Sequence, residues 1–285
     1  MSRRSQTVTP ELRQWIVAQA EAGCSAPALL QAMQQAGWDE DLAAAALEET
    51  LRAHLDAVAV AQGLPPASPV PEPDLADAPT VIDAGDRQVR VLLTIGKPRI
   101  VVFGDLLAPE ECDALIEAAR PRLARSLTVA TATGGQEVND DRTSEGMFFQ
   151  RGESPLLQRI EQRIARLVRW PVENGEGLQV LHYRPGAEYK PHYDYFDPAE
   201  PGTPRLLRRG GQRVATLVIY LNDPVRGGGT TFPDVPLEIG PRQGNAVFFS
   251  YGRAHPGSRT LHGGAPVIEG EKWIATKWLR EREFK

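Results

Sequence analysis

Two histidines and one aspartate have the side-chain types and the spacing of a metal site. His192 and Asp194 are separated by one residue in a segment rich in strand-forming residues, so a strand would project both side chains from the same face. The best third ligand is His262, which two glycines follow, and His182 and His255 are the alternatives. Two imidazoles and one carboxylate leave three coordination positions open, the arrangement that non-haem iron(II) oxygenases use for 2-oxoglutarate and oxygen.

A lysine ten residues after His262 could bind an anion. Lys272 opens a predicted strand whose alternate side chains face opposite ways. One face carries Lys272, Ile274, Thr276 and Trp278, and the other carries Trp273, Ala275 and Lys277. A lysine buried among apolar and aromatic side chains needs a counter-charge, because an unpaired buried ammonium is costly. The distal carboxylate of 2-oxoglutarate is a suitable partner, and a solvent-exposed strand lysine is the alternative.

Residues 91–285 contain the elements that must position these groups. Short apolar segments alternate with turns rich in glycine and proline, which predicts strands at 99–103, 178–184, 189–196, 214–221, 246–250 and 272–279. Helices are predicted from Pro109 to about residue 119 and at 155–168. Many short strands with flanking helices predict an α+β fold, in which a double-stranded β-helix (jelly-roll) core is buttressed by helices.

A small helical module is predicted at residues 1–62. Thr9 and Ser25 can each cap a helix, the acidic start at 39–41 suits the positive end of a third helix dipole, and the apolar residues that follow recur at helical spacing. Six prolines interleaved with acidic residues then predict an extended, solvated linker at 63–90. Because the module carries no residues suited to chemistry, the role that we expect of it is binding a partner.

Six motifs follow one another along the second part of the chain. They are Asp-Arg-Thr-Ser-Glu-Gly (141–146), Tyr-Lys-Pro-His-Tyr-Asp-Tyr-Phe (189–196), Gly-Gly-Gln-Arg-Val-Ala-Thr (210–216), Gly-Gly-Thr-Thr-Phe-Pro (228–233), Leu-His-Gly-Gly-Ala-Pro-Val (261–267) and Gly-Glu-Lys-Trp (270–273). In this order they resemble the prolyl 4-hydroxylase family, the branch related to the catalytic domains of collagen prolyl hydroxylases. The resemblance covers about residues 97–282 and leaves the helical module outside.

The resemblance implies a cofactor set and a reaction. Iron(II) would be held by His192, Asp194 and His262. The co-substrate 2-oxoglutarate would be bound by Lys272, Tyr183 and Thr230, within a core of about residues 176–282. A peptide groove would be lined by Arg213, Trp278, Tyr189 and Glu176. The implied reaction uses O2 to hydroxylate a prolyl residue in a protein or peptide with release of succinate and CO2, and L-ascorbate would re-reduce the iron.

One position departs from the family pattern. A histidine often stands two residues after the tryptophan that matches Trp278, and this chain has Arg280 there. The exchange leaves the iron ligands untouched but changes the substrate contacts, and an arginine would favour acidic residues beside the target.

Two other functions remain open on the sequence. One is the same chemistry on a free amino acid, another side chain or a small molecule. The other is a binding protein that senses 2-oxoglutarate or oxygen, or that recruits a partner. Retention of all three candidate ligands and of Lys272 argues against the binding protein.

Charge and composition restrict the classes of function and the cellular location that remain possible. The chain has 32 lysine and arginine residues against 37 aspartate and glutamate residues, a net charge of −5, which disfavours nucleic-acid binding because phosphates require a cationic surface. No apolar run approaches the ~20 residues of a membrane span, and no apolar signal segment follows the N-terminus. Two cysteines suit a reducing compartment, so we expect a cytoplasmic protein.

Overall fold

The chain folds as two units, which lie at Met1–Ala67 and Ser68–Lys285. The structure, a computed structural model, describes residues 6–126, 128–130, 133–137 and 141–285. The described part of the first unit contains α1 (Pro10–Glu21), α2 (Ala26–Gln35) and α3 (Glu40–Ala61). The first two begin at the predicted caps, Thr9 and Ser25, and the third begins at the predicted acidic start, where Asp39 also proves to be a cap: all three side chains accept hydrogen bonds from backbone N–H groups in the first turn. A separate apolar core, which includes Ile16 and Met33, holds the three helices together.

The second unit combines helices with many short strands. Its helices are α4 (Pro109–Ala119), α5 (Pro155–Leu167) and α6 (Thr203–Leu207). Its strands are β1 (Val81–Asp83), β2 (Gln88–Ile95), β3 (Arg99–Gly104), β4 (Ala124–Arg125), β5 (Thr128–Ala130), β6 (Gly135–Glu137), β7 (Glu145–Phe148), β8 (Gln179–Tyr183), β9 (Tyr189–His192), β10 (Arg213–Tyr220), β11 (Arg226–Gly227), β12 (Thr230–Phe232), β13 (Leu237–Ile239), β14 (Ala246–Ser250), β15 (His262–Gly264), β16 (Val267–Glu269) and β17 (Lys272–Arg280). The predicted α+β class is confirmed.

Two antiparallel sheets form the framework of this unit. The large sheet has the strand order β1-β2-β3-β14-β10-β17-β8-β7-β4, and the small sheet has the order β13-β12-β15-β9. Buried apolar side chains from both sheets, among them Tyr183, Val218 and Phe232, share one cluster. A second cluster packs α4 and α5 against the other face of the large sheet. The arrangement is the predicted jelly roll buttressed by helices on one face.

Strand β17 shows how the sequence alternation becomes two environments. Trp273 and Ala275 belong to the cluster on the helical side, whereas Ile274 belongs to the cluster between the sheets. Lys277 also faces the helices, where its Nζ lies 2.5 Å from Glu161 Oε1 of α5, and both side chains are 2% exposed. The pair ties α5 to the sheet, and losing either partner would leave an uncompensated buried charge.

Most of the segment predicted as an extended linker, residues 63–90, is instead a packed part of the second unit. From Ser68 onward the chain packs on the second unit: Ser68 N–H donates to the Gly252 carbonyl at 2.7 Å, and Glu72 N–H donates to the Val168 carbonyl at 3.0 Å. Strands β1 and β2 then pair, and Ala84 and Val89 enter the main core. The prolines lack N–H donors but leave their neighbours free to bond, so a proline-rich composition did not prevent packing. The second unit therefore begins at Ser68 rather than at residue 91.

Within the described ranges of the chain, no helix combines the length and the apolar character that crossing a bilayer demands.

A truncated chain that starts at Ser68 should fold as well as the full chain does, since it keeps the whole second unit with its own core. A chain that starts at Arg87 should be destabilised by roughly 2 kcal/mol or more, because it loses β1 and the partly buried Leu75 and Ile82, and each buried aliphatic side chain contributes about 1.5–3 kcal/mol. Urea unfolding followed by circular dichroism measures both free energies. Equal stability of the two chains would show that residues 68–86 do not complete the core.

Candidate active site

A pocket opens between the two sheets. Its lining comes from β8, β10 and β17 of the large sheet and from β9, β12 and β15 of the small sheet, together with residues beside them. The lining residues are Arg142, Leu181, Tyr183, Tyr189, His192, Asp194, Val218, Thr230, His262, Gly263, Gly264, Lys272, Ile274, Thr276 and Trp278. Polar groups thus converge on a pocket whose walls are largely apolar and aromatic, as in small-molecule sites.

The three predicted metal ligands meet in this pocket. Strands β9 and β15 pair so that His192 and His262 are register partners. Asp194 lies between the imidazoles, with Oδ1 at 3.5 Å from His192 Nε2 and Oδ2 at 3.4 Å from His262 Nε2. One ligand atom from each residue lies within 4.8 Å of the others. The prediction that Asp194 sits in mid-strand was wrong, since β9 ends at His192 and the aspartate follows in a bend.

Backbone carbonyls orient both imidazoles. His192 Nδ1 lies 2.9 Å from the Lys190 carbonyl oxygen, and His262 Nδ1 lies 3.0 Å from that of Thr260. Because a carbonyl oxygen can only accept, each Nδ1 carries a hydrogen, and each Nε2 faces the aspartate. Burial lowers the pKa of His262 to about 4, despite the opposing charge of Asp194, so this imidazole is neutral at physiological pH. A neutral imidazole is the form that binds metals.

The aspartate is held as a carboxylate. Burial by itself would raise the pKa of Asp194, but His262, His192 and Arg213 outweigh it and hold the pKa well below its usual range. The two imidazole nitrogens and one ionised carboxylate fit the donor set of a non-haem iron(II) site, and all three residues line the pocket.

The alternative histidines lie elsewhere. His182 is on the helical face of β8, where its ring stacks on Trp273 with centroids 4.3 Å apart. His255 accepts a hydrogen bond from the Gly257 N–H group. Neither joins the cluster, so the structure brings His262 to His192 and Asp194.

Lys272 is buried in the same pocket. It is 2% exposed, it is the register partner of Tyr183, and its Nζ lies 5.2 Å from the centre of the Tyr183 ring. It makes no ion pair with any residue that the structure describes. Burial lowers its pKa to about 8, partly offset by the charge of Glu238. A buried ammonium that faces a pocket favours an anion beside it, and the prediction that Lys272 is buried rather than exposed to solvent is confirmed.

Small residues keep the space around this lysine open. A Cβ atom on Gly264 would lie 3.6 Å from Lys272 Nζ, and one on Gly228 would lie 3.0 Å from its Cδ. Thr230 also lines the pocket, and the Tyr220 hydroxyl donates to its Oγ1 at 2.7 Å. The three residues predicted to bind 2-oxoglutarate, Tyr183, Thr230 and Lys272, are therefore together.

The four residues predicted to line a peptide groove divide into two pairs. Trp278 and Tyr189 line the pocket, and the Tyr189 ring stacks on His192 with centroids 3.7 Å apart. Glu176 and Arg213 lie behind this wall, with side chains 10% and 12% exposed. Arg213 donates to both Glu176 oxygens, at 2.7 and 3.0 Å, and its Cζ lies 4.0 Å from the Trp278 ring centre. This second pair supports the wall rather than lining the pocket.

Arg280 belongs to the same buried network. Its side chain is 3% exposed, and its guanidinium donates to Glu176 Oε1 at 3.0 Å and to the carbonyls of Leu206 and Arg209. The expectation that Arg280 contacts acidic residues of a substrate was therefore wrong. Spacing along β17 placed the residue beside the pocket, but it could not reveal that Glu176 and the end of α6 would occupy its donors.

Arg142 is a pocket residue that the sequence reasoning did not select. It is 5% exposed, its Nη2 donates to Gln179 Oε1 at 3.0 Å, and its Cζ lies 4.9 Å from the Tyr189 ring centre. Its Nε is buried without a hydrogen-bond partner among the described residues. The signal was available, because Arg142 lies inside the first of the six motifs.

Comparison with known proteins agrees with this geometry. The model of the 2OG-Fe(II) oxygenase superfamily matches residues 178–280. Prolyl 4-hydroxylase 1 of Arabidopsis thaliana is 45% identical over 204 residues, which cover 65% of this chain and 70% of that protein. Prolyl 4-hydroxylase 5 of the same plant is 41% identical over 222 residues, covering 70% and 74%.

A solved structure shares the fold. The viral collagen prolyl hydroxylase of Paramecium Bursaria Chlorella virus-1, in its 2-oxoglutarate complex, aligns with a TM-score of 0.51 and 32% identity over 65% of this chain and 97% of that chain. The pocket geometry, the family match and these relatives agree, and the chain belongs to the prolyl 4-hydroxylase family of 2-oxoglutarate- and iron(II)-dependent oxygenases.

Proposed function

We propose that the protein hydroxylates a prolyl residue in a polypeptide, and that His192, Asp194 and His262 hold its iron(II). The observation that carries the proposal is one pocket that combines two imidazoles and a carboxylate with an aromatic wall and a buried lysine that forms no ion pair with the described residues. Bound iron(II) supplies the oxidising chemistry that couples 2-oxoglutarate decarboxylation to oxygen insertion into a C–H bond. One oxygen atom of O2 goes to the substrate carbon and the other to succinate, with release of CO2.

The protein's own part is to bind and orient the reactants. Lys272 binds the distal carboxylate of 2-oxoglutarate, with the Tyr183 and Thr230 hydroxyls beside it in the pocket. This arrangement points the keto acid end of the molecule toward the His–Asp–His cluster. Fixing the reactants in one orientation removes much of the entropic cost of the reaction.

The aromatic side of the pocket suits a pyrrolidine ring. Trp278 and Tyr189 offer flat apolar surfaces beside the metal ligands, and Arg213 stacks behind Trp278 and fixes its plane. The relatives named prolyl 4-hydroxylases and the viral collagen prolyl hydroxylase support a proline-containing polypeptide as substrate. L-ascorbate as reductant, a partner of residues 1–62 and a cytoplasmic location belong to the proposal as predictions.

Replacing His192, Asp194 or His262 with alanine should abolish iron-dependent 2-oxoglutarate turnover, because each change removes one of the three donors. Succinate release measures the turnover, and circular dichroism checks that the variants remain folded. His255→Ala is the matched control, since this histidine caps a turn outside the pocket and should leave turnover intact. Full activity of His262→Ala together with loss in His255→Ala would reverse the assignment of the third ligand.

Lys272→Ala should raise the KM for 2-oxoglutarate at least tenfold, because it removes a charge-assisted hydrogen bond worth about 1.5–3 kcal/mol. Lys97→Ala, which removes an exposed positive charge, should leave the KM unchanged. The ammonium predominates below its pKa of about 8, so 2-oxoglutarate affinity should fall as pH rises through that value in the wild type and not in Lys272→Ala. An unaltered KM in Lys272→Ala would remove the lysine from the binding site.

A proline-containing peptide that is a substrate should gain the mass of one oxygen atom on proline for each succinate released. Trp278→Ala should reduce this hydroxylation far more than peptide-independent decarboxylation, since the indole wall faces the substrate side of the pocket. Trp15→Ala, in the helical module, is the control. Mass spectrometry and a succinate assay follow the two products. If a free amino acid or small metabolite stimulated turnover and a broad panel of proline peptides did not, the proposed substrate class would be wrong. The proposed cofactors would still stand.

A further inference from the structure

A chain of two buried hydroxyl groups ends on the candidate metal-binding carboxylate. Thr216, in the middle of β10, is fully buried, and its Oγ1 lies 2.7 Å from Asp194 Oδ2. The Tyr251 hydroxyl lies 2.9 Å from the same Oγ1 and is also buried. A line of hydrogen bonds therefore runs from Tyr251, which directly follows β14, through Thr216 to Asp194 in the cluster.

The direction of both hydrogen bonds follows from the chemistry of the groups. An ionised carboxylate can only accept, so the single Thr216 hydrogen must point to Asp194. Thr216 Oγ1 can then only accept from Tyr251, which donates its phenolic hydrogen. Within the described part of the chain, Tyr251 has no other hydrogen-bond partner, so its hydrogen has no competing acceptor.

The two carboxylate oxygens are consequently unequal. Oδ2 accepts the Thr216 hydrogen bond and lies 3.4 Å from His262 Nε2, whereas Oδ1 faces His192 Nε2 at 3.5 Å. A hydrogen bond from a buried hydroxyl fixes the rotation of a carboxylate and occupies one lone pair, and such outer partners commonly set the affinity of a metal site.

We propose that Thr216 and Tyr251 are positioning residues that lock Asp194 so that it offers Oδ1 to the metal ion. Tyr251 acts on Thr216, and Thr216 acts on the carboxylate; neither lines the pocket. The inference rests on the proposed iron site, and it adds two residues and a preferred ligand atom to that site. It concerns binding of the ion by the protein alone, so it can be tested without substrate turnover.

The test is a titration of the metal-free protein with Co(II), whose visible spectrum reports the ligand arrangement. Thr216→Val keeps the side-chain shape and removes the hydroxyl, and it should weaken Co(II) binding about 10–100-fold and alter the spectrum. Thr216→Ser should restore both the affinity and the spectrum. Tyr251→Phe should weaken binding in the same direction, because Thr216 loses the donor that fixes its orientation.

Thr203→Val is the matched control, since it also removes a buried threonine hydroxyl, but one that donates to the Asp197 carbonyl outside the pocket. It should lower thermal stability and leave Co(II) affinity unchanged. Wild-type affinity and spectrum in Thr216→Val would overturn the inference. If Thr216→Val fails to fold, wild-type Co(II) binding by Tyr251→Phe would overturn it equally. Absence of Co(II) binding by the wild type would instead overturn the proposed metal site, and the inference with it.

Discussion

The antiparallel pairing of β9 with β15 is the constraint on which the site depends. It places His192 opposite His262, although the two residues are far apart in the sequence. A slip of this register by one residue would turn one imidazole away from the other, because strand side chains alternate between faces. Carbonyls two residues before each histidine, those of Lys190 and Thr260, then orient the rings. The backbone of the small sheet thus determines both the distance between the imidazoles and their tautomers.

The large sheet contributes Tyr183, Lys272 and Trp278 to the pocket. Strand β17 lies between β8 and β10, so Lys272 is placed beside Tyr183 while the Trp278 end of the strand pairs with Thr216. One strand therefore runs from the anion site to the aromatic wall. Its other face is anchored to α5 by the buried pair of Lys277 and Glu161, so the helical layer holds in place a strand whose pocket face carries the binding groups.

Local patterns predicted much of this arrangement. Strict alternation along 272–279 correctly separated the pocket face from the helical face, because a two-residue period is a property of any strand. The helix caps at Thr9 and Ser25 were also predictable, since capping depends on residues three positions apart. The choice of His262 over two other histidines needed the ordered motifs as well, because no local rule selects a distant ligand.

Long-range contacts account for what the sequence did not predict. Proline content at 63–90 indicated a linker, yet hydrogen bonds to Gly252 and Val168 hold the segment on the second unit. Asp194 lies past the end of β9, where the distant Thr216, rather than strand geometry, fixes its carboxylate. Likewise, the sequence shows that Glu176 and Arg280 are charged, but it does not show that they pair with each other.

The buried network of Arg213, Glu176 and Arg280 makes position 280 dependent on residues far from it in the sequence. A guanidinium has five N–H donors, and that of Arg280 donates to the Glu176 carboxylate behind the pocket wall and to the Leu206 and Arg209 carbonyls at the end of α6. A histidine, with two ring nitrogens on a shorter side chain, cannot reach all three. Exchange between arginine and histidine at this position is therefore coupled to the conformation of the loop that follows α6. In evolutionary terms, position 280 and the loop after α6 must change together. The effect of replacing Arg280 with histidine, the common family residue, would depend on the sequence of that loop, so the two positions are epistatic.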